Sequence, residues 1–86
     1  MKKIIKFYAN WCGPCKAYAP IFDKVIDKYK DQVDTYNVNV DKDTDGLAAE
    51  YKVMSMPTTV LVKEDGTILK KVGILSEIEL EELIIS

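Results

Sequence analysis

Cys12 and Cys15 are the residues of this chain best suited to chemistry, and they are its only cysteines. They stand three apart in Trp11-Cys12-Gly13-Pro14-Cys15-Lys16. Two thiols so close in sequence can close into a disulfide and reopen by exchange with an outside disulfide. They are too few for a disulfide scaffold or a four-thiolate zinc site. The chain has no histidine, the commonest general base and metal ligand. In an intracellular α/β protein the spacing reads as redox chemistry. Spacing alone leaves open two buried structural thiols, or a zinc or iron–sulfur site bridging two chains.

What the pair can do depends on the elements that hold it. Residues 2–8 read as a strand, being short, β-branched and aromatic and bounded by Ala9-Asn10. From about residue 13 the period changes: Cys15, Tyr18, Ala19, Phe22, Val25, Ile26 and Tyr29 recur at steps of three and four. Charged residues fill the other face, which predicts an amphipathic helix to about residue 30. Pro14 suits its first turn, and Pro20 inside it is expected to kink it. Residues 35–40 alternate as a second strand, with Tyr36, Val38 and Val40 against Asn37 and Asn39. A short helix is expected at about 44–51, with Leu47, Ala48 and Tyr51 inward. Strands follow at 58–63 and about 67–72, joined at Asp65-Gly66 as a hairpin. Ser76 and Glu79 form a capping box for a last helix through Leu80, Leu83 and Ile84.

The expected order is βαβαββα, an α/β fold. Its strand–helix–strand start implies a parallel pair with a right-handed crossover, and the hairpin adds antiparallel strands. The product is a four-stranded mixed sheet flanked by helices. Eighty-six residues are enough for one core, so residues 1–86 are expected to form a single domain.

This layout sets Cys12 at the N-terminus of the first helix, where free N–H groups and the helix dipole favour an anion. In motifs of this kind a thiol pKa falls from about 8.5 towards roughly 7. Cys12 is therefore expected to attack a client disulfide. Cys15, one turn later on the same face, is expected to attack Cys12 and release the reduced client. Trp11 would cover the pair with an apolar surface. Gly13 would let a client backbone approach, and Pro14 would stiffen the turn.

Composition excludes other classes. Twelve basic and fourteen acidic residues leave a net charge of −2, with no basic excess for nucleic acid and no basic run for an anionic membrane. No apolar stretch approaches the roughly 18–20 residues of a bilayer span. The positive start Met1-Lys2-Lys3 is followed by an apolar run that ends at Lys6, too short for a secretory signal, so a cytoplasmic location is expected. Asp41-Lys42-Asp43-Thr44-Asp45-Gly46 resembles the first half of an EF-hand loop. The twelfth position, which needs a bidentate Glu, is Lys52. Asp43 is instead expected to be a helix N-cap, with the other acids as partners of the helix dipole.

With these residues in view, the sequence resembles the thioredoxin family. Residues 11–16 match the family's active-site motif in full. Phe7 and Ala9 match the strand before it, Pro20 the helix proline, and Val40-Asp41 the end of the next strand. Met56-Pro57-Thr58 matches the loop that carries a cis proline. Gly66 matches the hairpin glycine, and Val72-Gly73 the loop before the last helix. The resemblance implies the thioredoxin fold and protein-disulfide reduction. Pro57, in cis, would lie against the cysteines, and the backbone of Met56 would pair with an extended client. Trp11, Pro14, Met56, Gly73 and Ile74 would form the client surface, with Lys16 supporting the site. The implied partners are a thioredoxin reductase and disulfide-containing clients. A monomer is expected, with no cofactor or metal beyond the Cys12–Cys15 disulfide.

Two departures stand out. Longer family members carry an extra strand and helix before the strand that bears the site, so strand 35–40 would be a sheet edge here. The family also has a buried acid six residues before the first cysteine, thought to shuttle a proton for the second. That position is Lys6. Either its stem packs while its ammonium snorkels out, or its charge lies near the sulfurs and favours thiolate, making the disulfide more oxidising. Two rival functions remain at this point. One is a glutaredoxin-like protein recycled by glutathione, which usually has Pro-Tyr between its cysteines. The other is a binding module in which the cysteines are incidental.

Overall fold

The computed structural model describes residues 1–86. Strand β1 (Lys2–Tyr8) leads into helix α1 (Gly13–Tyr29), then strand β2 (Val33–Asn39), a 3₁₀ turn at Val40–Lys42 and the short helix α2 (Leu47–Glu50). Strands β3 (Thr58–Val62) and β4 (Ile68–Val72) and helix α3 (Glu77–Ile85) complete the chain. The sheet order is β2-β1-β3-β4. β1 and β2 are parallel, with Phe7 opposite Val38; β1 and β3 are antiparallel, with Lys6 opposite Thr59. This is the expected four-stranded mixed sheet, with β2 at one edge.

Alternation along β1 sends its side chains to two faces. Ile4 joins Tyr18, Phe22 and Val25 of α1 and Leu80, Leu83 and Ile84 of α3 in the larger core. Ile5 and Phe7 turn the other way and pack with Val60, Leu47, Ala48 and Tyr51. So α1 and α3 cover one face and α2 covers part of the other. The inward stripe expected for α1 is correct, and the helix continues past Pro20 to Tyr29. On the outer surface Lys24–Glu77 and Lys28–Glu81 ion pairs join α1 to α3. They are solvent-exposed, so packing rather than charge holds these helices together.

Several boundaries differ from the sequence reading. The second strand starts at Val33 rather than 35, and Val40 leaves it for the 3₁₀ turn. The cause is local: the Asn39 side chain accepts the Asp41 N–H at 3.0 Å, which turns the chain. The helix expected at 44–51 is one turn long. Its cap position is Gly46, in the left-handed region at φ 70°, not Asp43. Asp43 nevertheless caps from three residues upstream, its carboxylate accepting from Leu47 N–H at 3.0 Å and Ala48 N–H at 2.7 Å. The third strand ends at Val62, and Lys63 N–H closes the hairpin on the Thr67 carbonyl at 2.8 Å. Gly66 supplies the φ of 91° that this turn requires. The capping box of Ser76 and Glu79 is formed in both directions.

One polar pair lies within the core. The Tyr18 hydroxyl and the Thr59 hydroxyl share a hydrogen bond of 2.8 Å between α1 and β3, both residues being fully buried. Removing one partner strands the other away from water, at about 1–3 kcal/mol. Tyr18→Phe and Thr59→Val are each expected to lower unfolding free energy by about that much in urea titrations. The double variant should lose less than the sum, because no polar group is then left unpaired. Strict additivity would show that the bond contributes nothing.

Candidate active site

The cysteine pair sits where β1 hands over to α1. The chain turns through Ala9-Asn10-Trp11, with Cys12 N–H donating to the Ala9 carbonyl at 3.2 Å. Cys12 is the N-cap of α1, with extended backbone. Gly13 and Pro14 are the first two helical residues, and Cys15 is the third. An N-cap side chain accepts the N–H of the second or third helical residue. Here the acceptor is sulfur: Cys15 N–H donates to Cys12 Sγ at 3.2 Å. Pro14 has no N–H, so it leaves none unpaired in this turn. Cys12 and Cys15 are joined as a disulfide, with Cα atoms 5.3 Å apart. Neither cysteine is free, which removes the reading as independent structural thiols.

The electrostatic setting favours an anion on Cys12 when the bond opens. The first turn of α1 holds no acid, and Lys16 adds a cation beside it. The N-terminus of a 17-residue helix lies at the sulfur, with the Cys15 N–H donating to it.

Most of the expected site residues converge on this junction. Met56 packs on the cluster of Ala9, Cys12 and Cys15, and its carbonyl oxygen lies 3.8 Å from Cys12 Sγ. The Met56–Pro57 bond is cis, and Pro57 is buried. Gly73, at φ 92°, donates its N–H to the Pro57 carbonyl at 2.8 Å, which draws the loop before α3 against the proline loop. Ile74 follows it with an exposed side chain. Gly13 and Pro14 are exposed at the helix tip, and Trp11 stands 68% exposed beside them. The result is an apolar rim around a largely buried disulfide.

Sequence reasoning missed what holds Trp11. Its indole Nε1–H donates to the Asp41 carboxylate at 2.9 Å. Asp41 is in turn placed by the Asn39 cap of the 3₁₀ turn. In the sequence Asp41 reads only as a strand end and as part of the calcium-like loop. The loop's other key acid, Asp43, is occupied by the backbone of α2. No group of three or more His, Cys, Asp or Glu side chains is arranged to hold a metal ion.

Lys6 does not snorkel to the open surface. It is 7% exposed, and its ammonium lies 4.8 Å from the ring centre of Phe22 and 5.6 Å from that of Tyr8. It lines a cleft of about 460 Å³ together with Cys15, Lys16, Tyr8 and Asn10. Burial lowers its pKa from the ordinary 10.5, and the charge of Asp23 opposes that shift.

Comparison with known proteins agrees with this geometry. The family model for thioredoxin matches residues 1–86. A thioredoxin of Borreliella burgdorferi is 44% identical over 81 residues, covering 94% of this chain and 68% of that protein. A thioredoxin of Mycoplasmoides gallisepticum is 38% identical over 84 residues, covering 96% of this chain and 81% of its own. The crystal structure of oxidised mitochondrial thioredoxin 3 from Saccharomyces cerevisiae superposes with a TM-score of 0.82 at 41% identity, covering 98% of this chain and 76% of that one.

The buried lysine makes stability depend on pH with a definite sign. Between its lowered folded value and 10.5, the unfolded chain binds a proton that the folded chain does not. The contribution of Lys6 therefore rises with pH through that window. In the oxidised protein Lys6→Met should be more stable than wild type at pH 7, and its advantage should shrink as pH approaches 10.5. Chemical denaturation across pH checks this; a constant difference would contradict it.

Proposed function

The chain belongs to the thioredoxin family and is a dithiol–disulfide oxidoreductase; from that premise we propose how its residues divide the work. Cys12 is the attacking sulfur and Cys15 the resolving one. The observation that carries this assignment is the hydrogen bond from Cys15 N–H to Cys12 Sγ at the cap of α1. A donor and a helix dipole aimed at Cys12 stabilise its thiolate over that of Cys15.

In the reductive direction the Cys12 thiolate attacks one sulfur of a client disulfide. A bond forms between Cys12 and that sulfur, and the other client sulfur leaves with the electron pair. Cys15 then loses its proton and attacks Cys12 Sγ. The Cys12–Cys15 disulfide forms, the second client sulfur leaves, and the client has gained two electrons.

An extended client segment would lie along Met56-Pro57, over Trp11, Pro14, Gly73 and Ile74. Two features support this. Trp11 and Ile74 expose apolar surface beside the sulfur. The Met56 backbone stands next to Cys12 and outside the sheet ladder, so it has room for an added strand-like partner. Gly13 and Lys16 complete the rim. The family acts on disulfide substrates; we assign recycling of this chain to a thioredoxin reductase, which would make it an electron carrier between that enzyme and client proteins. We further propose that residues 1–86 work as a single monomeric domain in the cytoplasm, with no cofactor beyond the disulfide. No helix is long and apolar enough to cross a membrane.

Insulin-disulfide reduction driven in parallel by a thioredoxin reductase and by glutathione with its reductase tests the recycling route. Turnover should be faster with the former. Cys12→Ser should abolish turnover. Cys15→Ser should also stop it, but should accumulate a covalent mixed disulfide through Cys12, visible as a mass adduct on non-reducing analysis. Trapping by Cys12→Ser and not by Cys15→Ser would reverse the assignment.

A further inference from the structure

Lys6 is the only charged side chain of the chain that is buried. No carboxylate lies within ion-pair distance of its ammonium, and it makes no hydrogen bond to the protein. The other lysines are exposed or half-buried on the surface. What surrounds Lys6 is the ring of Phe22, the ring of Tyr8 and the cleft it shares with Cys15. Aromatic faces partly replace lost hydration of a cation, but they supply no counter-charge. The neutral disulfide supplies none either.

Opening the disulfide changes this. The dithiol holds negative charge on a sulfur pair of which one member, Cys15, lines the cleft beside the Lys6 ammonium, the other being its bonding partner Cys12. We propose that Lys6 is an electrostatic partner of the Cys12–Cys15 pair, favouring the reduced protein and so making this disulfide a stronger oxidant than it would be with a neutral residue at that position. The inference rests on the oxidoreductase reading above. It concerns the poise of the pair and not which sulfur attacks. Lys6 acts through its charge; it is not itself a bonding partner of the reacting atoms.

The groups facing Lys6 are few. From α1 they are Cys15, Lys16 and Asp23, while the Tyr18 hydroxyl is held by Thr59. From β1 there is Tyr8. Asn37 of β2 and Thr59 of β3 stand opposite Lys6 in the sheet and carry no charge. Asp23 is exposed and tempers the cation without pairing with it. Among these groups only the cysteine pair changes charge with redox state.

The coupling is reciprocal. If the Lys6 cation stabilises the reduced pair, reduction must make Lys6 hold its proton more tightly by the same factor. Two readouts follow. The first is the exchange equilibrium with glutathione, in which two glutathione thiols give two electrons to the Cys12–Cys15 disulfide and become one glutathione disulfide. Lys6→Met keeps an apolar stem and removes the charge. Its equilibrium constant for reduction is expected to fall about tenfold, about 30 mV in potential, and Lys6→Asp further in the same direction. The second readout needs no variant. The Lys6 side-chain nitrogen, followed by NMR in oxidised and reduced wild type, should titrate about one pH unit higher in the reduced protein.

Agreement of Lys6→Met with wild type within about twofold, about 9 mV, would overturn the inference, as would equal Lys6 titration midpoints in the two states. If Lys6→Met does not fold, the wild-type titration decides alone. Failure of the Lys6 inference would leave glutathione exchange and insulin turnover intact. Absence of any exchange in wild type would instead bring down the oxidoreductase reading, and this inference with it.

Discussion

The bond from Cys15 N–H to Cys12 Sγ is the contact on which the rest of the site depends. It exists because β1 passes to α1 through the short turn Ala9-Asn10-Trp11, so that the first cysteine becomes the helix cap and the second falls in the first turn. Sulfur is a weak acceptor as a thiol or disulfide and a strong one as a thiolate, so the same bond strengthens when the disulfide opens. The helix dipole adds to it. A helix begun one residue earlier or later would give the N–H to another atom, and Cys12 would no longer be the acceptor at the cap.

The remaining features hold that junction steady and shape its surroundings. β1 is central in the sheet, paired on both sides by β2 and β3, and it is packed on both faces. The proline loop comes off the start of β3, so pairing of β1 with β3 also sets Met56 and Pro57 beside Cys12. The bond between Gly73 and Pro57 brings the next loop to the same place. Trp11 is anchored at its indole nitrogen by Asp41 while most of the side chain stays open to solvent. Charge is distributed unevenly around this frame: Lys6 and Lys16 line a cleft with Cys15, and the acids Asp41 and Asp43 are engaged by indole and backbone. The site is therefore biased towards holding an anion.

Much of this was legible in the residues. The change of hydrophobic period at residue 13 located the junction, because strands and helices bury side chains at different spacings. The capping box at Ser76 and the turn at Asp65-Gly66 were legible because their signals are local. What escaped reading was set by side chains reaching across the fold. Val40 alternates with its neighbours as a strand residue would, yet the Asn39 side chain turns the chain there. Asp43 caps α2 from three residues before the cap position, a geometry that spacing rules do not describe. The partner of Trp11 lies thirty residues away. Lys6 alternates with Ile4 and Tyr8 along one face of β1, and its burial follows from α1 laying Phe22 across it. No pattern within residues 2–8 carries that information.

Position at the helix start, rather than exposure, distinguishes the two sulfurs, because their residues are nearly equally buried, at 5% and 6% exposure. The most direct measurement is the pH dependence of alkylation of the reduced protein by iodoacetamide, with the modified cysteine mapped by mass spectrometry. Cys12 is expected to be modified first, with a rate midpoint below the ordinary thiol value of about 8.5. Modification of Cys15 first, or of both cysteines with the same ordinary midpoint, would contradict it.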